Sequence, residues 1–152
     1  LYIDSGGIIM AVNTSLKRLE VKYVRDGVKA NYVKDLMCAI CDSADSLELH
    51  HYSTLNRMWD KFKKDNLLPK EIKDPEEIKL YREQFYKQYW FEAVENSVTL
   101  CNTHHKLLHR VYGVEPMLST APKQKNWVAK QHDKWLAKQC PSATDFPEHG
   151  TD

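Results

Sequence analysis

Long apolar runs are missing from this chain. None approaches the ~20 residues that cross a bilayer as a helix, and the mean hydropathy is −0.61, so a membrane anchor is not expected. Glycine and proline are scarce, at 5 and 6 of 152 residues, which excludes a collagen-like or low-complexity chain. No basic-then-apolar leader with a small-residue cleavage site opens the sequence, so a secretory route is not expected and a cytoplasmic location is. Net charge is also nearly absent, at +1, and bulk charge therefore marks no polyanionic partner. Internal repeats are missing too.

What is present is enough to fold. Hydrophobic residues make up 42% of the chain and aromatics 11%. The length suits one domain of roughly 100–200 residues. The charge is unevenly spread. Between Ser15 and Lys34, six basic residues (Lys17, Arg18, Lys22, Arg25, Lys29, Lys34) stand against Glu20 and Asp26, a local +4. Between Pro122 and Gln139, Lys123, Lys125, Lys130, Lys134 and Lys138 stand against Asp133, another +4. Two basic flanks around a neutral middle fit a phosphate backbone, though lysines that merely solvate helix faces would look the same.

The 4 cysteines and 7 histidines carry more information. Cys38 and Cys41 form C-x-x-C, and Cys101 and His104 form C-x-x-H. Without a secretory signal a disulfide framework is not expected. A thioredoxin-type redox pair needs a βαβ pattern that the chain does not show. Two ligand pairs, each with a two-residue gap, suit a tetrahedral Cys3His zinc site, because each pair spans two adjacent corners of one ion. Cys140 is left over and is expected to have no role.

The apolar pattern places these residues on elements. Residues 14–36 read as a helix broken near Gly27, with a short strand over Val21–Val24 as the alternative. Leu47–His51 alternates like a strand. Leu55, Met58, Trp59 and Phe62 recur at helical spacing behind Ser53 or Thr54. Asp74-Pro75-Glu76-Glu77 is a helix start, with an acidic cap and a proline at the first helical position. That helix is expected to run to about Glu95. A short strand over Val98–Leu100, a helix from Thr103 to Tyr112 ended by Gly113, and a last helix from Pro122 to Lys138 complete the domain. Residues 1–9 precede Met10 and are expected to be upstream sequence. Residues 140–152 read as a disordered tail.

On that layout the histidines fall into a second group. His105 and His109 sit at i and i+4 of one helix, stacked on one face. A hairpin that carries His50 and feeds this helix can bring three imidazoles around one divalent ion, with open positions left over. Structural zinc sites are closed; catalytic ones stay open.

The segments Leu47-Glu-Leu-His-His51 and Asn96-Ser-Val-Thr-Leu-Cys-Asn-Thr-His-His-Lys-Leu-Leu-His109 resemble the HNH endonucleases, also called ββα-metal or His-Me finger nucleases. The resemblance is to the zinc-knuckle subtype common in phages and mobile elements. It covers about 38–51 and 96–109 only. It implies an α+β fold: a zinc-stabilised ββα-metal core within a single nuclease domain at 10–139, a helical insertion at 52–95 inside the hairpin, and flanking helices. Asn96 follows His51 at a far longer interval than the family's hairpin usually allows, and His104 stands where a fourth cysteine is usual. Because His104 and His105 adjoin, their assignments could be exchanged; C-x-x-H with Cys101 and i, i+4 with His109 favour the assignment used here.

Residue by residue, the resemblance implies His51 as general base and Asn96 as the residue orienting it. His50, His105 and His109 become ligands of one catalytic divalent ion (Mg, Mn, Ni, Co or Zn), and Cys38, Cys41, Cys101 and His104 ligands of a structural zinc. The implied reaction is metal-dependent hydrolysis of DNA to 5′-phosphate and 3′-hydroxyl ends, one strand nicked per active site. Cutting both strands would require a homodimer or two events. For a phage-encoded protein the location is the host cytoplasm. The rival reading is a zinc-binding module that recognises nucleic acid or protein without catalysis.

Overall fold

The computed structural model describes residues 19–139. The stretch at 1–9, the tail at 140–152 and Cys140 lie outside the described residues. The architecture is α+β, with five helices and one two-stranded antiparallel sheet among the described residues. In chain order these are α1 (19–26), β1 (Leu47–His51), α2 (Leu55–Asp65), α3 (Pro75–Trp90), β2 (Ser97–Cys101), α4 (Asn102–Tyr112) and α5 (Ala121–Gln139). The chain divides into two compact units: the described residues up to Tyr32 with Ser53–Asn96, and Val33–Tyr52 with the described residues from Ser97 onward.

The first unit is helical. α2 buries Met58, Trp59 and Phe62, and α3 buries Ile78, Phe85 and Tyr86, the spacing of one apolar stripe per helix. Trp59, Phe62 and Phe85 meet with ring centroids 5.4–5.5 Å apart. α3 starts as its sequence dictates: Asp74 accepts the Glu76 N–H at 3.0 Å, and Pro75 needs no donor at the first position. Its end differs from the expectation. Tyr89 leaves helical geometry (φ −124°, ψ 26°), and Phe91–Glu95 forms a π turn closed by Asn96 N–H on the Phe91 carbonyl at 2.7 Å. The wider turn buries Ala93 and Val94 while Phe91 stays exposed. Val21–Val24 lies in α1 rather than in a strand, and Gly27 falls in the turn that ends it.

A charged group sits inside this apolar unit. Glu20 on α1 is 1% exposed. Its Oε1 accepts from Trp59 Nε1 at 2.8 Å and Lys63 Nζ at 2.7 Å, and its Oε2 accepts the Ile72 N–H at 3.0 Å. Lys63 also donates to the Lys70 carbonyl at 2.6 Å. Each charge is thus paired and hydrogen-bonded, the condition under which burial is tolerated.

The second unit holds the sheet. β1 and β2 pair in the register Leu47↔Cys101, Glu48↔Leu100, Leu49↔Thr99, His50↔Val98 and His51↔Ser97. The whole of 52–96 lies between the strands, yet closing a longer loop costs only about 0.6 kcal/mol per doubling of length. Two strands alone are marginal, and here Leu100, Leu108, Val128, Ile40 and Tyr52 form a buried cluster from both strands' surroundings, α4 and α5.

Removing the Glu20 carboxylate should leave Lys63 as an unpaired buried ammonium. Glu20→Ala should cost roughly 3–5 kcal/mol in urea unfolding. The double variant Glu20→Leu/Lys63→Met should cost less than Glu20→Ala alone; a double variant as unstable as the single would contradict a role for the charge itself.

Candidate active site

Two ligand sets are built on the hairpin unit. The first begins at the knuckle before β1. Cys38 N–H donates to the Ser43 carbonyl at 2.8 Å, Asp42 N–H to the Cys38 carbonyl at 3.0 Å, and Ala39 N–H to the Thr99 carbonyl at 2.9 Å. Asp42 closes the turn at φ 57°, a conformation that Asp tolerates better than most residues. The Ile40 N–H lies 3.4 Å from Cys38 Sγ. Cys101 ends β2, and one turn of α4 brings His104 beside it.

Cys38, Cys41, Cys101 and His104 each place a ligand atom within 4.8 Å of all the others. Cys41 and Cys101 sulfurs are 3.8 Å apart, the edge of a tetrahedron with Zn–S bonds of about 2.3 Å. His104 Nδ1 is 3.3 Å from Cys101 Sγ and 3.9 Å from Cys38 Sγ, on either side of the roughly 3.6 Å that a mixed edge requires. Burial pushes the Cys41 thiol up to about 11. Burial raises Cys38 as well, but the N–H groups of Cys101, Cys41 and Ile40 outweigh it and hold this thiol below its usual range. Burial also lowers His104, which keeps its ring neutral. The donor set fits a soft dication that binds thiolate and imidazole.

The second set joins β1 to α4. Glu48 and His50, two apart on β1, share a face, and α4 packs there. His50 Nδ1 is 3.2 Å from His105 Nε2, and His109 Nε2 is 3.1 Å from the same atom. For metal–nitrogen bonds of about 2.1 Å, adjacent donors stand roughly 3.0–3.4 Å apart. Three imidazoles therefore fit one side of a single ion.

The outward nitrogens are all occupied by acceptors. His105 Nδ1 donates to Glu48 Oε1 at 2.6 Å, His109 Nδ1 to the Gly113 carbonyl at 2.8 Å, and His50 Nε2 to Gln124 Oε1 at 2.7 Å. Such partners fix tautomer and ring orientation in metal-binding histidines. The His105 hydrogen bond, with a second from Asn102 Nδ2 at 2.9 Å, holds the Glu48 carboxyl below its usual range. Gly113 serves twice. At φ 95° its N–H caps α4 on the His109 carbonyl at 2.7 Å while its own carbonyl meets the His109 ring, and a side chain at that φ would be strained.

All seven residues assigned to metal ions thus gather into the two expected groups. His51, half-buried, ends β1 beside His50 and pairs in register with Ser97. Asn96 is the last residue of the helical unit and precedes Ser97 directly. Lys106 and Arg110 each follow a histidine of α4 by one position and are exposed.

Glu48, Gln124 and His132 were not legible as site neighbours. Glu48 carried a signal in the strand alternation, two residues before His50. Gln124 carried none, because its partner is distant in sequence. His132, on α5, donates its Nδ1 hydrogen to the knuckle carbonyl of Ile40 at 3.0 Å and stacks on Trp135.

Burial pushes His50 down to about 4. Its folded value thus lies below the usual ~6.5 of an unfolded chain, so the unfolded state binds the proton first as pH falls. Protein that carries zinc at the cysteine set but no ion at the imidazole set should lose about 3 kcal/mol of stability between pH 7 and pH 4 from this residue. Urea titrations across that range check it, and a His50→Gln variant should show a flatter profile.

A family model described as the nicking endonuclease family, and named for phage T5, matches residues 10–144. No solved structure matches the chain. Among the described residues no helix is long and apolar enough to cross a membrane. The family match runs through both ligand sets, His51 and Asn96, and covers most of the chain: this protein belongs to the nicking endonuclease family.

Proposed function

We propose that the chain nicks DNA by HNH-type, metal-dependent hydrolysis, with 10–139 acting as one nuclease and the segment at 52–95 as its insertion. Family membership supplies the substrate and the nick. The observation that carries the mechanism is the convergence of His50 Nδ1, His105 Nε2 and His109 Nε2, each with its other nitrogen engaged by an acceptor.

In this reading Cys38, Cys41, Cys101 and His104 hold a structural zinc. His50, His105 and His109 hold a divalent cation whose charge, when bound, offsets the negative charge gathering on the phosphoryl and departing oxygens. His51 takes a proton from the water that attacks phosphorus, a task suited to an imidazole. The new P–O bond forms as the bond to the 3′ oxygen breaks, and that oxygen takes a proton from solvent, which leaves a 5′-phosphate and a 3′-hydroxyl. Asn96 orients His51. Lys106, Arg110 and the exposed lysines of α5 contact phosphates, which gives affinity without sequence information.

A thiolate-rich set would by itself support a binding module. The second set, all imidazole and one-sided, favours the enzyme, because structural zinc sites are closed by four protein ligands.

His51→Ala should lower the rate of supercoiled-plasmid nicking by about 10²–10⁴-fold, and Asn96→Ala by about 10–100-fold, with plasmid binding and thermal stability unchanged in both. Agarose resolution of nicked from linear product in a panel of divalent ions reads the rate. Unimpaired nicking by His51→Ala would refute the assignment.

A further inference from the structure

β1 and α4 supply all three imidazoles of the second set, and the acceptors for His105 and His109 lie on or directly after those same two elements. His50 is different. Its outward nitrogen is held from α5, by Gln124, a side chain with no exposed surface.

The orientation of that amide is settled by its other contacts. Gln124 Nε2 lies 3.0 Å from the Tyr52 carbonyl and 3.0 Å from Thr120 Oγ1. A carbonyl can only accept, so the NH2 group faces Tyr52 and the amide oxygen faces His50. The amide oxygen in turn can only accept. The hydrogen of the neutral ring must therefore sit on His50 Nε2, and the lone pair on Nδ1 points at His105 and His109.

We propose that Gln124 is a positioning residue of the metal centre: by accepting the Nε2 hydrogen of His50 it commits that ring to ligation through Nδ1 and makes α5 a structural part of the site. The inference rests on the reading of His50, His105 and His109 as ligands of one ion. It also accounts for an amide here and a carboxylate at His105. Glu48 is half-exposed, with its side chain at 42% relative exposure, so water shares its charge. A carboxylate at the fully buried position 124 would stand uncompensated whenever the ion is absent.

The full chain, zinc-loaded at the cysteine set, provides the test. Long-range proton–nitrogen NMR reads the tautomer of each ring without an added ion, and competition titration with Ni2+ reads the affinity of the imidazole set. The wild type should show His50 with hydrogen on Nε2. Gln124→Met should give mixed tautomers at His50 and bind Ni2+ about 10–100-fold more weakly, with the cysteine set still loaded. Gln124→Glu, which keeps an acceptor for His50, should recover the affinity but lower the stability of the protein without that ion, because a buried carboxylate replaces the NH2 group that meets the Tyr52 carbonyl.

A wild-type His50 with hydrogen on Nδ1 overturns the proposal without recourse to any variant, as does Gln124→Met with unchanged tautomer and affinity. A wild type that takes up no Ni2+ through His50, His105 and His109 overturns the ligand reading itself, whatever the tautomer arm shows.

Discussion

Neither ligand set exists within one stretch of chain, and the pairing of β1 with β2 is what makes both. Cys38 and Cys41 precede β1, whereas Cys101 ends β2 and His104 lies on the helix it feeds; His50 is on β1, whereas His105 and His109 are on that same helix. The register Leu47↔Cys101 through His51↔Ser97 sets the distance between the halves. Side chains alternate along a strand, so a slip of one residue would carry Glu48 and His50 to the opposite face. It would separate His50 from α4 and leave His105 without its carboxylate.

A two-stranded ladder is too weak to enforce this alone. Its surroundings make up the difference. Leu100 and Leu108 are fully buried beside the cysteine set, and α5 reaches back to Tyr52, His50 and Ile40 through Gln124 and His132. A structural zinc can add ~10–16 kcal/mol of apparent binding energy in small peptides, more than the stability of many whole domains. On the proposed reading the two sets have unequal tasks: four ligands would close around a structural zinc and pin the two segments together, whereas three donors on one side would leave an ion open to a phosphate and water.

Much of this is legible in the sequence. C-x-x-C with C-x-x-H, and His105 with His109 at i, i+4, are local spacings that survive folding intact, and the strands and helices that carry them follow from short-range alternation and capping. The helix start at Asp74-Pro75 was equally plain. What could not be read are contacts made at long range by residues of ordinary type. Gln124 and His132 sit among lysines on a helix that looks solvated, and only packing turns them inward. The π turn at Phe91–Glu95 is hidden for a related reason: its residues favour continued helix, and the break at Tyr89 has no proline or glycine to announce it. The buried Glu20–Lys63 pair follows the same logic, since each residue belongs to a charged stretch that reads as surface.

On the proposed reading, one hairpin and its following helix carry two metal sites of different chemistry. Anomalous diffraction from crystals grown with zinc and soaked in Mn2+ tests it most directly. Two peaks are expected: one at the zinc edge among Cys38, Cys41, Cys101 and His104, and one at the manganese edge bounded by His50, His105 and His109. A zinc peak alone, with the three imidazoles empty at saturating Mn2+ and again after a Ni2+ soak, would contradict it.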